Sequence, residues 1–487
     1  MGTAARPNVV LIMVDQWRGD CLGVEGHPVV RTPFLDRLAT RGVRFSRAYT
    51  ATPSCVAARA SLMTGQRPFR HGRVGYADHV PWDYPVTLAG EFTAAGYQTQ
   101  AVGKMHFFPE RTQLGFQNVV LHSPGGIIRS ARQRGMDPDY VDDYLPWLRR
   151  ELGRDATFYD TGLDSNSYVA RPWDKPEHTH PTNWVASQAI DFLRRRDPRK
   201  PFLLHVSINA PHPPFDPAGW AFDQYRDTVM PDPVFGDWVD DLAEFAQPAD
   251  PTAQVAGPLP SDVLQRAKAG YYGHMTHIDQ QVNRVLEALD QHGVGKDTIV
   301  CFTSDHGELL GDHGCHRKSM HLEGSARIPL LMAGPGIEKG VVRDDLIELG
   351  DLMPTLLELA GVPIPPTVDG VSARRLLSGD VSGTPWRELL HGEHTLFGQS
   401  LQWLTDSRHK YVWFSGSGVE HLFDLADDPH ECHDLVRAGT HDDVLAGFRS
   451  ALVEQLRNRE EGFVADNGLV TGRPVSPVLS HLRASAV

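Results

Sequence analysis

The 487-residue sequence has few cysteines, fewer basic than acidic residues, and no long apolar run. Its five cysteines, Cys21, Cys55, Cys301, Cys315 and Cys432, are odd in number, widely spaced and form no Cys-x-x-Cys pair. That excludes a disulfide framework and a structural zinc site and fits a reducing cytoplasm. With 47 Lys and Arg against 61 Asp and Glu, the net charge is −14. Nucleic acid and an anionic membrane surface are therefore excluded as main partners. An anionic small substrate would need a metal or local positive charge to overcome this field. No stretch approaches a transmembrane span. The apolar run at residues 9–14 leads directly into Asp15-Gln16 without a small-residue cleavage site, so it reads as a first strand and not as a secretory signal. Internal repeats and low-complexity blocks are also absent.

What remains is the composition of a soluble globular protein, 41% hydrophobic and 22% charged, long enough for one large domain and a smaller one. Residues 8–14 are continuously apolar, as in a strand buried on both faces of a parallel sheet. Thr32-Pro33 opens a helix. A helix-compatible run from Cys55 to Gly65 follows the Pro53-Ser54 turn, placing Cys55 at a helix N-terminus where free N–H groups and the dipole favour an anion. Further elements are a helix over 87–95, strands over 99–102, 202–208, 298–303 and 328–332, and helices over 184–196, 261–292 and 351–360. This alternation predicts a doubly wound α/β fold. The stretches 121–180 and 213–260 lack periodicity and read as loops and short helices that shape substrate access. Beyond 375 the pattern shifts to short aromatic strands (401–404, 410–414, 420–425) and a helix near 443–457. We therefore expect a catalytic α/β domain over 1–375, a small α+β domain over 376–464 and a tail over 465–487 able to pack on another subunit.

Four predicted strands end in reactive polar groups: Asp15-Gln16, Lys104 with His106, His212, and Asp305-His306. Ligands of open α/β sheets bind beyond the carboxyl ends of the strands, so these groups can share one crevice. Asp15, Gln16 and Asp305 offer hard oxygen ligands for Ca²⁺, Mg²⁺ or Mn²⁺, and His306 a nitrogen. A capping role is the bland alternative for Asp15. Cys55 with Arg59 is Cys-x3-Arg, which a thiolate phosphatase (Cys-x5-Arg) does not match, and the papain-like signature is missing. Gly334-Pro335-Gly336 lacks the third glycine and the helix of a dinucleotide loop. His313, His316 and His321 match no helical zinc pair. His71, His274 and His277 read as structural. Trp82, Trp173 and Trp184 are candidate pocket walls, with core packing the commoner fate.

Cys55-Val56-Ala57-Ala58-Arg59, followed by Leu62-Met63-Thr64-Gly65, Arg67-Pro68 and His71-Gly72, resembles the signature of type I sulfatases in the alkaline phosphatase superfamily. Alanine at Ala57 stands where proline is commoner. The resemblance continues through Val14-Asp15-Gln16, Gly103-Lys104-Met105-His106, Ala210-Pro211-His212, Ser304-Asp305-His306-Gly307, Gly311-Asp312-His313-Gly314, Lys318 and the closing block from Leu422 to Leu435. It implies an alkaline-phosphatase-like, largely parallel mixed sheet flanked by helices, with a smaller C-terminal α+β domain.

In that family the signature cysteine is oxidised to formylglycine by a formylglycine-generating enzyme. Carried over, Asp15, Gln16, Asp305, His306 and the modified Cys55 would hold one divalent cation, Ca²⁺ first and Mn²⁺ or Mg²⁺ next. Gln16 and His306 replace the second aspartate and the asparagine of many arylsulfatases, which is similar to the branch of choline sulfatases and phosphonate monoester hydrolases. The implied mechanism has a hydroxyl of the hydrated aldehyde attack sulfur in line and expel the alcohol. Lys104, Lys318 and Arg59 would offset charge on the non-bridging oxygens, His212 and Lys318 would serve the leaving oxygen, and His106 would help deprotonate the second hydroxyl. A small-molecule sulfate ester is the expected substrate. A phosphonate monoester or phosphodiester on the same scaffold, and an inactive oxyanion-binding homologue that keeps the thiol, are the alternatives. A homo-oligomer is compatible with the tail.

Overall fold

The computed structural model describes residues 6–159, 163, 165–245, 256–380, 382 and 385–483. Its first ten strands are β1 (Asn8–Asp15), β2 (Val43–Phe45), β3 (Ala48–Tyr49), β4 (Gln98–Gly103), β5 (Asn118–Leu121), β6 (Phe202–Pro211), β7 (Thr298–Ser304), β8 (Leu330–Ala333), β9 (Val341–Arg343) and β10 (Ile347–Glu348). Eight of them form one sheet in the order β5-β4-β6-β1-β7-β8-β2-β9, and β3 pairs with β10. The run from β5 to β7 is parallel throughout. β8 lies antiparallel to both β7 and β2, so the sheet is mixed and mostly parallel.

β1 shows why the run at 8–14 carries no polar alternation. Val10, Ile12 and Val14 face one core, which includes residues of the helices Pro33–Thr40, Pro181–Arg195 and Ser261–Gln291. Val9, Leu11 and Met13 face the other, which includes residues of Cys55–Thr64, Leu88–Ala94 and Leu352–Leu359. With successive side chains on opposite faces, a strand covered on both sides must be apolar at every position. Each such side chain contributes about 1.5–3 kcal/mol on burial. All ten residues of the Cys55–Thr64 helix are buried, which accounts for its lack of an amphipathic pattern.

Because β4, β6, β1 and β7 run parallel, the residues that follow them emerge at one edge: Lys104, His212, the Asp15-Gln16 turn and Asp305. Gly103 is what allows the turn into Lys104. Its φ is +97°, and a Cβ there would lie 1.9 Å from the carbonyl oxygen of Ser207, so no other residue fits.

The C-terminal sheet is antiparallel, in the order β11 (Leu390–Leu396), β12 (Gln399–Thr405), β13 (His409–Phe414) and β14 (Glu420–Asp424). Leu404, Tyr411, Trp413 and Leu422 pack under the helix Asp442–Leu456. Trp403, Val412, Phe414 and Phe423 pack with Tyr49, Trp238, Met320 and Leu322 of the first sheet's half of the molecule. Both faces are covered, and the β11–β12 hairpin is thereby held over the edge where the first sheet's polar residues emerge.

The two stretches without periodicity carry loops and short helices in their described residues, as expected, and the tail is placed against its own chain. Residues 121–180 contain the helices Gly125–Gln133, Pro138–Val141 and Tyr144–Leu152, and β5 precedes them. Part of the 213–260 stretch lies outside the described residues. The tail lies on its own chain: Val74 N–H donates to Pro477 O at 3.0 Å, Leu479 N–H donates to Gly72 O at 2.9 Å, and Arg73 bridges Val478.

Candidate active site

At the sheet edge Asp15, Cys55, Asp305 and His306 each offer a ligand atom, all within 4.8 Å of one another and all buried. Cys55 Sγ stands 3.2 Å from His306 Nε2, 3.7 Å from Asp15 Oδ1 and 3.8 Å from Lys104 Nζ. Lys104 Nζ pairs with Asp15 Oδ2 at 2.6 Å. His306 Nδ1–H donates to Gly307 O at 3.0 Å, which fixes the tautomer and leaves the Nε2 lone pair facing the carboxylates. Hard carboxylate oxygens, an imidazole nitrogen and residue 55 thus converge on one point, a donor set that fits a divalent cation.

The electrostatics agree. Burial raises the Asp15 carboxyl, but the Lys104 ammonium, with His212, His306 and Arg59, outweighs it and holds Asp15 well below the usual range. Burial and the charge of Asp15 push Asp305 up, the expected behaviour of two carboxylates sharing one site. Burial and Asp15 push the Cys55 thiol up; Lys104, Lys318 and His306 outweigh them and draw it well below a free thiol. The field at residue 55 therefore favours negative charge.

Arg59 departs from the role expected of it. Its side chain is 1% exposed and its donors are spent on protein. Nε and Nη2 bind Asp305 Oδ2 at 3.1 and 3.0 Å, Nη2 binds Asp15 Oδ2 at 3.2 Å, and Nη1 binds Lys104 O and Ser207 Oγ at 2.7 and 2.9 Å. A guanidinium has five N–H donors in a fixed fork, so Arg59 clamps the two carboxylates from behind and has nothing left for a substrate oxygen. Gln16, the other expected ligand, follows Asp15 directly and is held from several sides. Its backbone N–H donates to Asp305 Oδ1 at 3.2 Å, Lys318 Nζ donates to its Oε1 at 2.6 Å, and its Nε2 donates to Glu308. The Tyr271 hydroxyl donates to Gln16 O at 2.7 Å, fixing a backbone held at φ +72°.

Above the cluster lies a cavity of about 590 Å³, with Cys55, Lys104, His106, His212 and Lys318 among its lining residues. His212 Nδ1–H donates to Pro213 O at 2.8 Å; burial and Lys318 press its pKa well below the usual value, so the ring is neutral. Burial likewise lowers the Lys318 ammonium against the charges of Cys55 and Asp15. His106 Nε2 meets Asp78 Oδ1 at 3.3 Å, and the Tyr76 hydroxyl donates to Asp78 Oδ2 at 2.7 Å. Burial opposes charge on His106, and Asp78 and Cys55 together outweigh it and raise the pKa. Gln16, His106, Arg317 and Ser319 all have positive φ, a concentration of backbone strain typical of functional sites.

Sequence reasoning missed Asp78 and Tyr76, which hold His106, Ser207, which holds Arg59, and Glu308, which holds Gln16. Of these only Glu308, directly after Asp305-His306-Gly307, had a legible signal. It also missed the second domain's share. His394, Phe397, Val475 and Pro477 line the cavity, and both ring nitrogens of His394 are buried without a partner. Trp82 lines the cavity, Trp173 lines a small neighbouring one behind His212, and Trp184 packs in the core. His71 bonds Ser61 inside the protein. Among the described residues no group of His313, His316 and His321 forms a metal cluster.

A sulfatase family model matches residues 7–362, and one described as N-sulphoglucosamine sulphohydrolase, C-terminal, matches residues 311–459. The chain belongs to the sulfatase family. It is 46% identical over 486 residues to an arylsulfatase of Clostridium perfringens, covering 98% of this chain and 100% of that one. It is 30% identical to a choline-sulfatase of Rhizobium meliloti, over 92% and 86% of the two chains. The phosphonate monoester hydrolase of Agrobacterium radiobacter superposes with a TM-score of 0.73 at 27% identity, covering 96% of this chain and 100% of that chain. Membership implies a divalent cation and a formylglycine made from the signature cysteine.

Proposed function

We propose that this sulfatase, a sulfuric ester hydrolase, cleaves a sulfate monoester at residue 55, with Cys55 converted to formylglycine by a formylglycine-generating enzyme and one Ca²⁺ held by Asp15, Gln16, Asp305, His306 and residue 55. The observation that carries the reading is the position of Cys55: a helix N-terminus above two carboxylates and an imidazole, below a cavity lined by Lys104, Lys318, His106 and His212. When bound, the cation and the hydrated aldehyde supply charge neutralisation and a hydroxyl nucleophile.

The chain's own residues do the rest. Lys104, anchored on Asp15, and Lys318, anchored on Gln16, present ammonium groups to the oxyanion of the ester. His106, oriented by Asp78, stands ready to exchange a proton with residue 55, and neutral His212 faces the leaving alcohol. The aromatic walls Tyr76, Trp82, Phe108 and Phe397 support an aromatic alcohol. The five free cysteines support a reducing cytoplasm as its setting.

The test is mass spectrometry of the Cys55 peptide from the native host, with hydrolysis of 4-nitrophenyl sulfate and of an aryl phosphonate measured alongside. Conversion lowers the peptide mass by about 18 Da, and kcat/KM is expected to favour the sulfate. A peptide found only as thiol, or a large preference for the phosphonate, overturns the proposal.

A further inference from the structure

Glu308 is 0% exposed, and no catalytic or metal-holding step described above uses it. Its Oε1 accepts from the Tyr168 hydroxyl, from Leu310 N–H at 3.0 Å and from Arg317 N–H at 2.6 Å; its Oε2 accepts from Gln16 Nε2. A carboxylate only accepts and an ammonium only donates. Gln16, lying between Glu308 and Lys318, therefore has a single orientation open to it: amide nitrogen toward Glu308, carbonyl oxygen toward Lys318 Nζ at 2.6 Å. The same carboxylate ties down the backbone of Arg317, at φ +70°, one residue before Lys318. Leu309 N–H donating to Arg317 O at 2.8 Å closes that turn.

We propose that Glu308 is a positioning residue: it fixes which end of the Gln16 carboxamide faces the cations of the site and sets the turn that delivers Lys318. The inference rests on the sulfatase reading for its kinetic consequence only. The polarity of these contacts is a property of the folded protein itself. If the carboxylate becomes an amide, its Oε1 must go on accepting from Tyr168, Leu310 and Arg317. Its new NH₂ group then faces the NH₂ of Gln16. The Gln16 amide has to turn over, setting a donor against the Lys318 ammonium and against any bound divalent cation.

The test is a polarity swap. E308Q is expected to weaken Ca²⁺ binding to the chelator-treated protein, read by calorimetry, by about 10–100-fold and to lower kcat/KM for 4-nitrophenyl sulfate by a similar factor. Q16E, which sets two carboxylates face to face, is expected to lose as much. The double variant E308Q/Q16E restores a donor opposite an acceptor and keeps the net charge, so it should recover at least about 10-fold in both readouts over either single variant. If E308Q alone does not fold, the comparison of the swap with Q16E still decides. E308Q indistinguishable from the parent, or a swap no better than Q16E, overturns the proposal. Calcium binding does not require formylglycine, so an unmodified Cys55 would abolish activity in every variant while leaving the order of affinities to be read.

Discussion

Replacing Arg59 by lysine separates the clamp seen in the structure from the substrate contact expected of the signature. Arg59 makes five contacts from three nitrogens, reaching Asp305 and Asp15 on one side and Lys104 O and Ser207 Oγ on the other. A lysine has one nitrogen and cannot span both sides, so at least two contacts are lost. A hydrogen bond to a charged group is worth about 1.5–3 kcal/mol, so two sum to about 3–6 kcal/mol, and breaking a buried ion pair from one side narrows this to about 3–5 kcal/mol. Against an unfolding entropy of about 1 kcal/mol/K for a chain of this length, Tm should fall by about 3–5 °C. Differential scanning calorimetry on substrate-free protein reads that shift, and steady-state kinetics with 4-nitrophenyl sulfate completes the test. The clamp requires kcat to drop about 10–100-fold while KM stays within about threefold. An unchanged Tm with KM raised about 10-fold or more would refute it and return Arg59 to the sulfate oxygens.

Two further outcomes follow from the geometry. Burial raises the Asp216 carboxyl to about 8, against about 3.9 in an unfolded chain. The folded state keeps that proton longer, so stability present below about pH 4 is lost as pH rises through about 8, by up to about 6 kcal/mol. D216N, which cannot ionise, should gain on the parent between pH 6 and pH 9 in urea midpoints, and parallel pH profiles would refute this. Deleting residues 473–487 removes Val475 and Pro477 from the cavity wall and the support of the segment carrying Tyr76 and Asp78. The expected result is kcat/KM for 4-nitrophenyl sulfate lower by about 10-fold or more with calorimetric Ca²⁺ affinity unchanged, since the cation cluster sits at the ends of β1 and β7 and at the start of the Cys55–Thr64 helix. A deletion that leaves kcat/KM intact, or that weakens Ca²⁺ binding, contradicts this account.

The run at 8–14, the Asp305-His306 strand end and the Cys55 helix were legible in the sequence because each is local: an apolar period, a polar terminus and a short signature sit within a few residues. The same holds for β12 to β14, short runs that combine apolar and aromatic residues. β11 was not legible. Its sequence, Leu-His-Gly-Glu-His-Thr-Leu, has polar residues at inward positions, because Glu393 pairs with Arg459 at 2.8 Å and His394 lines the cavity. Asp78, Ser207 and the tail were invisible for a related reason. Each acts on a residue far along the chain through a contact that no spacing encodes.

The sequence by itself determined the chemistry available to this protein: a signature cysteine at a helix start, two carboxylates and an imidazole at strand ends, and two lysines, because those residue types are needed wherever the fold puts them. The tertiary structure decided the division of labour. Five adjacent parallel strands brought the groups to one edge, and burial then committed all three guanidinium nitrogens of Arg59 to acceptors on protein. The charges flanking Gln16 fixed its orientation. A role depends on which partners a side chain has already satisfied, and packing, not sequence order, sets that.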